Sequence, residues 1–135
     1  DSYDKIVFDV GGDDIGALVL GRYQSKIVAQ EHEMFYVINT KRPLSATKDE
    51  IIEMLNAIEE SSRLKVGHLI NNSNLSYETT VEDLAAGQRI IDRVSKETGI
   101  PVTYISGTRQ VIDQLPSDMK SRAFELERYM QPIWK

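Results

Sequence analysis

Short, almost continuously apolar runs separated by longer amphipathic stretches are the feature that most restricts the fold of this chain. Four such runs, residues 6–10, 34–40, 66–71 and 102–106, are predicted to be buried strands. They are rich in β-branched and aromatic residues, which is typical of parallel strands covered on both faces. The pattern therefore predicts a mostly parallel sheet of about four strands.

The stretches between the runs carry helical spacing and helix-end signals. We predict helices over residues 15–23, from a capping box at Thr47–Glu50, and from the segment after Thr79 to Gly99, with Pro101 just beyond. A short helix over 109–115 and a helical tail over 119–130 are also expected. Strands alternating with helices indicate βαβ units with right-handed crossovers. We expect one α/β domain over residues 1–135, with helices on both faces of the sheet.

Length and composition exclude several classes of function. The 135 residues suit a single domain, and the net charge of −5, with no cluster of Lys and Arg, argues against direct nucleic-acid binding. The absence of cysteine rules out disulfides, thiol catalysis and cysteine-ligated metal sites in this chain. No apolar run reaches the length of a membrane span and the start does not resemble a signal peptide, so we expect a cytoplasmic protein without a transmembrane segment.

The sequence opens without Met, only five residues before the first apolar run. This beginning suits a processed terminus or a piece of a longer protein. We expect a piece of a longer protein.

The loop after the first predicted strand, Asp9-Val-Gly-Gly-Asp-Asp14, carries the strongest functional signal. Ligands of open α/β sheets bind at the carboxyl ends of the strands. Asp9 could hold Mg²⁺ through water, and Gly11 and Gly12 would let the backbone approach an anion. Asp13 or Asp14 could orient or deprotonate a nucleophilic water. The alternative is that Asp13 or Asp14 simply caps the next helix.

The predicted strand over 66–71 leads into Asn71 and Asn72. A carboxamide offers both a donor and an acceptor, which a purine edge requires. The competing interpretation, favoured on chemistry alone, is that these residues cap turns. Lys41 and Arg42 could meet phosphate, although a solvated loop explains them equally well.

A complete P-loop nucleotide site is absent from the sequence. The phosphate-binding loop needs G-x-x-x-x-G-K-[ST], and no Gly-Lys pair occurs in the chain. Gly11, Gly12 and Gly16 do not have the spacing of a dinucleotide fingerprint. We therefore expect these residues alone to bind ATP poorly.

From Asp9 to Ser106 the chain resembles the later part of ParA/MinD-type P-loop ATPases, the group that includes nitrogenase iron protein. The resemblance implies a partial P-loop (Rossmann-like) fold, with this chain as the C-terminal part of a larger nucleotide-binding domain. The stretch Asp9-Val-Gly-Gly-Asp13 is similar to the D-x-x-G-D motif of that group. The resemblance implies that Asp9 is the magnesium-linked Walker B carboxylate and that the Gly12 N–H contacts the terminal phosphate. It also implies that Asp13 is the catalytic, water-activating carboxylate.

Gly67-His-Leu-Ile-Asn-Asn72-Ser resembles the strand of these ATPases whose closing Asn reads adenine, which would be Asn72. Ser106 and Gly107 would flank the base, although they stand where the family often has Pro. The resemblance implies ATP and Mg²⁺ as cofactors, both bound only when the missing Walker A half is present. It also implies ATPase activity in the whole protein and a nucleotide-sandwich homodimer. The cluster cysteine of the iron protein is missing, so electron transfer is not implied.

Two other functions remain open. The chain could be a non-enzymatic α/β interaction module that has lost nucleotide turnover. It could also be a receiver-like phospho-acceptor domain that uses the acidic loop after the first strand. That fold needs another Asp at a later strand end, where this chain has Asn39, Asn71 and Ser106.

Overall fold

A computed structural model describes residues 4–74 and 78–127 of the chain. Within these ranges the strands are β1 (Phe35–Ile38), β2 (His68–Asn71), β3 (Val102–Gly107) and β4 (Ala123–Glu125). The helices are α1 (Asp14–Arg22), α2 (Gln24–Val28), α3 (Lys48–Ser62), α4 (Val81–Thr98), α5 (Arg109–Ile112) and α6 (Ser117–Lys120).

The four strands form one open sheet in the order β1-β2-β3-β4, and every neighbouring pair is parallel. Ile38 lies opposite Asn71, and Asn71 lies opposite Ile105, so the carboxyl ends of the first three strands are aligned. A bulge between Leu69 and Ile70 shifts the register of β2 against β3. The predicted α/β class and the parallel four-stranded sheet are thus confirmed.

The predicted helix ends are present in the two longest helices. Thr47 caps α3 by accepting from the Glu50 N–H. Thr80 and Asp83 form a reciprocal capping box at the start of α4, and Gly99 ends that helix at φ 77°. Only glycine adopts this left-handed backbone conformation without a steric cost from a Cβ atom. This explains why a glycine in the sequence predicted the end of the helix.

One face of the sheet carries the hydrophobic core. Side chains of α3 and α4 pack against the alternate strand residues that point to this face, and the last helices join the same cluster. Fully buried members include Ile38, Ile51, Leu69, Ile91 and Ile105. Each such side chain contributes roughly 1.5–3 kcal/mol by its removal from water, so this layer supplies most of the stability.

The opposite face of the sheet is open in the part of the chain that the structure describes. Val37 and Phe124 are 50% and 52% exposed there. Aromatic rings stack across this face, with 4.5 Å between the ring centres of Phe35 and His68 and 5.7 Å between those of Tyr104 and Phe124. The expectation of helices on both faces is therefore not met by the described residues. Every strand connection runs in the same direction across the sheet, so right-handed crossovers place the connecting helices, α3 to α6, on one side.

The first predicted strand is wrong. Residues 6–10 belong to no strand of the sheet, and Val7 is 88% exposed. Apolar, β-branched sequence favours an extended strand only where another strand pairs with it. In the described structure β1 is an edge strand and does not pair with this segment.

The predicted helical tail over 119–130 is also wrong within the described residues. Helix α6 ends at Lys120, and β4 follows as the fourth strand. The Ile105 N–H donates to the Arg122 carbonyl at 2.9 Å, and the Leu126 N–H donates to the Gly107 carbonyl at 2.8 Å. Pairing with the free side of β3 thus overrides the helical preference of residues 123–125. The last part of the predicted helix, residues 128–130, lies outside the described ranges.

Helix α1 packs closely on α3 at Gly21. A Cβ placed there would lie 2.6 Å from the Ser61 carbonyl oxygen. The Arg63 guanidinium also donates to the Gly21 carbonyl at 2.6 Å, which fixes this contact further. The two helices can approach this closely because position 21 has no side chain.

We expect Gly21→Ala to lower the free energy of unfolding by about 1–3 kcal/mol, because the added methyl group must push the α3 backbone away. The intrinsic helix gain of up to about 1 kcal/mol from Gly to Ala acts in the opposite direction and is smaller. Urea unfolding followed by circular dichroism measures the change. The control is Gly67→Ala, where the nearest atom to an added Cβ is 3.9 Å away. Equal effects of the two substitutions would contradict the close-contact explanation.

Candidate functional site

A cavity of about 570 Å³ opens at the carboxyl edge of the sheet beside β1. It lies between the loop before α1, the loop after β1 and the loop after β2. Its lining comprises Gly12, Asp13, Tyr36, Val37, Ile38, Asn39, Arg42, Pro43, Leu44, Ser45, Met54, Asn72 and Asn74. A volume of this size is in the range of small-molecule sites.

The predicted site residues divide into those that meet this cavity and those that do not. Gly12, Asp13 and Asn72 line it, although they come from distant parts of the sequence. Asp9 and Gly11 are exposed and lie outside the lining. The fold therefore brings together one glycine, one carboxylate and one amide of the predicted nucleotide site.

Asp13 caps the N-terminus of α1. It is the N-cap residue, and its Oδ1 accepts from the Gly16 N–H at 2.7 Å. Asp14 is already the first residue of the helix. The capping interpretation is thus correct for Asp13, and this bond also fixes the carboxylate at the mouth of the cavity.

Asn72 and Ser106 are joined across β2 and β3. The Ser106 hydroxyl donates to Asn72 Oδ1 at 2.7 Å, and Ser106 itself is buried. This bond turns the Oδ1 end of the amide towards β3. Ser106 and Gly107 are not part of the cavity lining, so the geometry gives Ser106 the role of orienting Asn72.

Asn39 and Asn74 are site residues that sequence reasoning did not single out. The Asn39 amide donates to the Asn74 carbonyl at 3.1 Å and accepts from the Asn74 N–H at 3.1 Å and the Lys41 N–H at 2.9 Å. The loop after β1 is thereby tied to the loop after β2. The run Asn71-Asn72-Ser73-Asn74 directly after a strand is the signal that could have drawn attention to Asn74.

A buried layer of polar bonds supports these loops from below. Asn71 is 0% exposed, and its amide donates to Gln88 Oε1 at 3.0 Å and accepts from the Ser73 N–H at 3.0 Å. Ser73 in turn accepts from the Thr40 hydroxyl at 2.7 Å and the Thr40 N–H at 3.1 Å. Asn71 is therefore structural, whereas Asn72 faces the cavity.

The cations of the loop after β1 have different surroundings. Lys41 Nζ lies 3.0 Å from Asp83 Oδ1, which ties this loop to the start of α4. Arg42 is exposed and lines the cavity. Of the two, Arg42 is the side chain placed to meet an anionic ligand.

Tyr36 supplies a neutral phenol to the cavity wall. Burial raises its pKa to about 12, so the hydroxyl keeps its proton at physiological pH. It can act as a hydrogen-bond donor but not as a general base.

The described ranges contain no group of three or more His, Cys, Asp or Glu side chains arranged to hold a metal ion. Mg²⁺ commonly keeps several waters and takes only one or two protein carboxylates together with substrate phosphates. The exposed Asp9 fits such a water-mediated role only if phosphate oxygens complete the coordination.

Comparisons with protein-family models, curated proteins and solved structures found no match. Among the helices in the described ranges, none has the length and apolarity needed to cross a membrane. Any statement about function therefore depends on the residues and their geometry.

The ion pair between Lys41 and Asp83 gives a pH-dependent prediction. A hydrogen bond from the Thr80 N–H and contact with Lys41 hold the pKa of Asp83 below its usual 3.8. A lowered folded pKa stabilises the protein above the unfolded pKa, and this contribution is lost as pH falls through the folded value. We expect Asp83→Asn to unfold at lower urea concentration than the wild type at pH 6.

The difference between Asp83→Asn and the wild type should shrink steadily below about pH 4. Urea unfolding at several pH values between 2.5 and 6 measures it. Glu82→Gln removes the same charge from the neighbouring exposed position of α4 and serves as the matched control. A difference that stays constant with pH would show that the Asp83 charge does not contribute.

Proposed function

We propose that this chain is the part of a ParA/MinD-like ATP-binding protein that carries the Walker B/switch loop and the adenine-recognition strand. The observation that supports it best is the cavity shared by Gly12, Asp13 and Asn72 at the carboxyl edge of the parallel sheet. These residues come from the two loops that resemble the motifs of that family. Parallel α/β sheets bind their ligands at this edge.

Asn72 is the proposed adenine-reading residue. An Asn carboxamide pairs with adenine by donating to N7 and accepting from the N6 amino group. The Ser106 hydroxyl occupies one lone pair of Asn72 Oδ1, which leaves the second lone pair and the amide hydrogens for the base. The bonds of Asn39 to Asn74 hold the adjoining loops in place, so the base would enter a preorganised pocket.

The phosphate side of the proposed site is weak. Gly12 and Arg42 line the cavity, and the backbone N–H of the first and the guanidinium of the second would be its donors, since Lys41 is paired with Asp83. A phosphate-binding loop with its Lys would have to come from other polypeptide. With that loop in place, Asp9 would hold Mg²⁺ through water, and the ion would neutralise charge on the phosphates.

Asp13 is the proposed water-orienting residue of the complete site. The bond from the Gly16 N–H leaves the other carboxylate oxygen, Oδ2, available to accept from a nucleophilic water. Its catalytic role is a property of the whole ATPase rather than of these residues alone.

The first test uses the chain itself with adenosine and Mg-ATP. We expect both to shift the Asn72 side-chain resonances in NMR titrations, with weak affinities near the millimolar range that differ by less than about threefold. The phosphates add little because their binding loop is missing. Guanosine should shift these resonances less, since its six-position carries a carbonyl oxygen.

Asn72→Asp removes the amide donor, so adenosine should no longer shift the backbone amide resonance of residue 72, which we expect it to shift in the wild type. Asn56→Asp on the exposed side of α3 is the matched control. Absence of any adenosine shift at Asn72 in the wild-type chain would refute adenine reading. Micromolar binding of Mg-ATP would instead contradict the statement that the chain lacks part of the phosphate-binding site.

The second test separates the cap from the catalytic role of Asp13. Asparagine caps a helix about as well as aspartate, so Asp13→Asn should leave the unfolding midpoint of the chain nearly unchanged. Asp13→Ala should lower the stability by about 0.5–2 kcal/mol. In a protein with the phosphate-binding loop present, Asp13→Asn should retain ATP binding and reduce hydrolysis. Unchanged turnover of that variant would remove Asp13 from the mechanism.

A second candidate is a non-enzymatic interaction module, which the open aromatic face of the sheet favours. It predicts no response of Asn72 to adenosine. The receiver-like alternative loses support from Asn71, because that strand-end position is fully buried and bonded to Gln88.

A further inference from the structure

The loop after β1 holds a leucine in a backbone conformation that normally belongs to glycine. Leu44 has a φ of 67°, where a Cβ atom is crowded by the neighbouring backbone. The Ser45 N–H donates to the Arg42 carbonyl at 3.3 Å, so residues 42–45 close a β-turn. Pro43 fixes its own φ at a negative value, and a positive φ at the next residue makes the turn type II. Glycine or asparagine is the usual residue at this position of such a turn.

Hydrogen bonds and an ion pair hold this turn from the side of β1. The Ser45 hydroxyl donates to the Asn39 carbonyl at 2.6 Å, and the Arg42 N–H donates to the same carbonyl at 3.2 Å. Lys41, just before the turn, is fixed by Asn39 Oδ1 and by Asp83. Strained backbone persists only where its surroundings determine it in this way. The turn therefore cannot relax at Leu44 without breaking these contacts.

The side chain of Leu44 gains little from the fold in return for this strain. It is 66% exposed and does not belong to the hydrophobic core. Within residues 4–74 and 78–127, the other non-glycine residue with a positive φ is Arg63. Arg63 uses its side chain structurally, because its guanidinium bonds to the Gly21 carbonyl. Leu44 instead presents apolar surface to the cavity.

The lining of the cavity indicates what kind of group would cover Leu44. Pro43, Tyr36 and Met54 add further apolar surface, and Asn72 and Arg42 add polar groups. Small-molecule sites combine apolar walls with a few polar groups in this way, and a ligand in a cavity of this volume has most of its surface buried. A planar group with a polar edge, such as a nucleobase, would remove the exposed apolar surface of the leucine from water.

We propose that Leu44 is a ligand-contacting residue whose side chain packs against the face of the base, while Asn72 reads its edge. The proposal rests on the nucleotide site proposed above and assigns it a second determinant of binding. The type II turn holds the leucine at the cavity before the ligand arrives, so less ordering of the loop is needed on binding.

The decisive variant is Leu44→Gly. Glycine adopts the left-handed conformation without steric cost, so the urea midpoint of unfolding should rise despite the greater freedom of glycine in the unfolded chain. The same variant should bind adenosine roughly threefold or more weakly, because the base loses an apolar contact. Urea unfolding and an adenosine titration followed at the backbone amide of residue 72 measure the two effects. Higher stability with weaker binding is not expected of a residue that only supports the fold.

Two further variants complete the experiment. Leu44→Met restores an apolar side chain on the same backbone, so it should recover affinity that Leu44→Gly loses. Leu126→Asn removes a partly exposed leucine beyond β4, at the opposite edge of the sheet, and should not change the affinity. In the wild type, adenosine should also shift the Leu44 methyl resonances upfield, because a base stacked on them shields protons above its face.

Unchanged adenosine affinity of Leu44→Gly would overturn the proposal. A lower urea midpoint of this variant would also overturn it, since Leu44 would then be a structural residue. Adenosine shifts at residue 72 with none at the Leu44 methyl groups would remove only this inference. The absence of any adenosine response at residue 72 would remove the proposed nucleotide site, and the role of Leu44 with it.

Discussion

The handedness of parallel crossovers governs the layout of this molecule. A parallel strand can be reached only by a connection that passes over one face, and nearly all such connections are right-handed. Since β1 to β4 follow one another in a single direction, their helices share one face and build one core there. The same rule leaves the aromatic side chains of the other face exposed. The position of the core and the openness of the other face thus have one common origin.

At the carboxyl edge of the sheet, the neighbouring residues Asn71 and Asn72 have different roles. Asn71 and Asn72 differ by one position in β2 and the loop that follows, so their side chains point in different directions. Asn71 points into the helix layer and is satisfied by Gln88 and Ser73. Asn72 points to the cavity and is oriented by Ser106. Leaving a buried carboxamide unsatisfied costs about 1–3 kcal/mol, which explains why the buried member has a complete set of partners.

Local signals predicted those parts of the fold that local interactions determine. The capping residues of α3 and α4 and the glycine at the end of α4 were identified because their bonds lie within a few residues. Residues 6–10 and β4 were predicted wrongly because strand formation depends on distant partners. The apolar run over 6–10 has no strand beside it, whereas Ala123–Glu125 pairs with β3 although it lies in a region with helical spacing.

The candidate site divides in the same way. Gly12, Asp13 and Asn72 could be selected from motif resemblance, and the fold places them around one cavity. The role of Asn39 could not be predicted from the sequence, because it depends on reciprocal hydrogen bonds to Asn74, a residue in another loop.

The N-cap of α1 couples this cavity to the rest of the molecule. Asp13 can accept from a ligand through Oδ2 while Oδ1 keeps its bond to the Gly16 N–H, whereas a ligand that engages both oxygens weakens this bond, and the loss of such a cap costs about 1 kcal/mol. Helix α1 rests on α3 through Gly21, so a change in its first turn reaches the core layer. For a ligand of the second kind, occupancy of the cavity and the order of α1 are thermodynamically linked, and that ligand binds more weakly by the free energy of the cap.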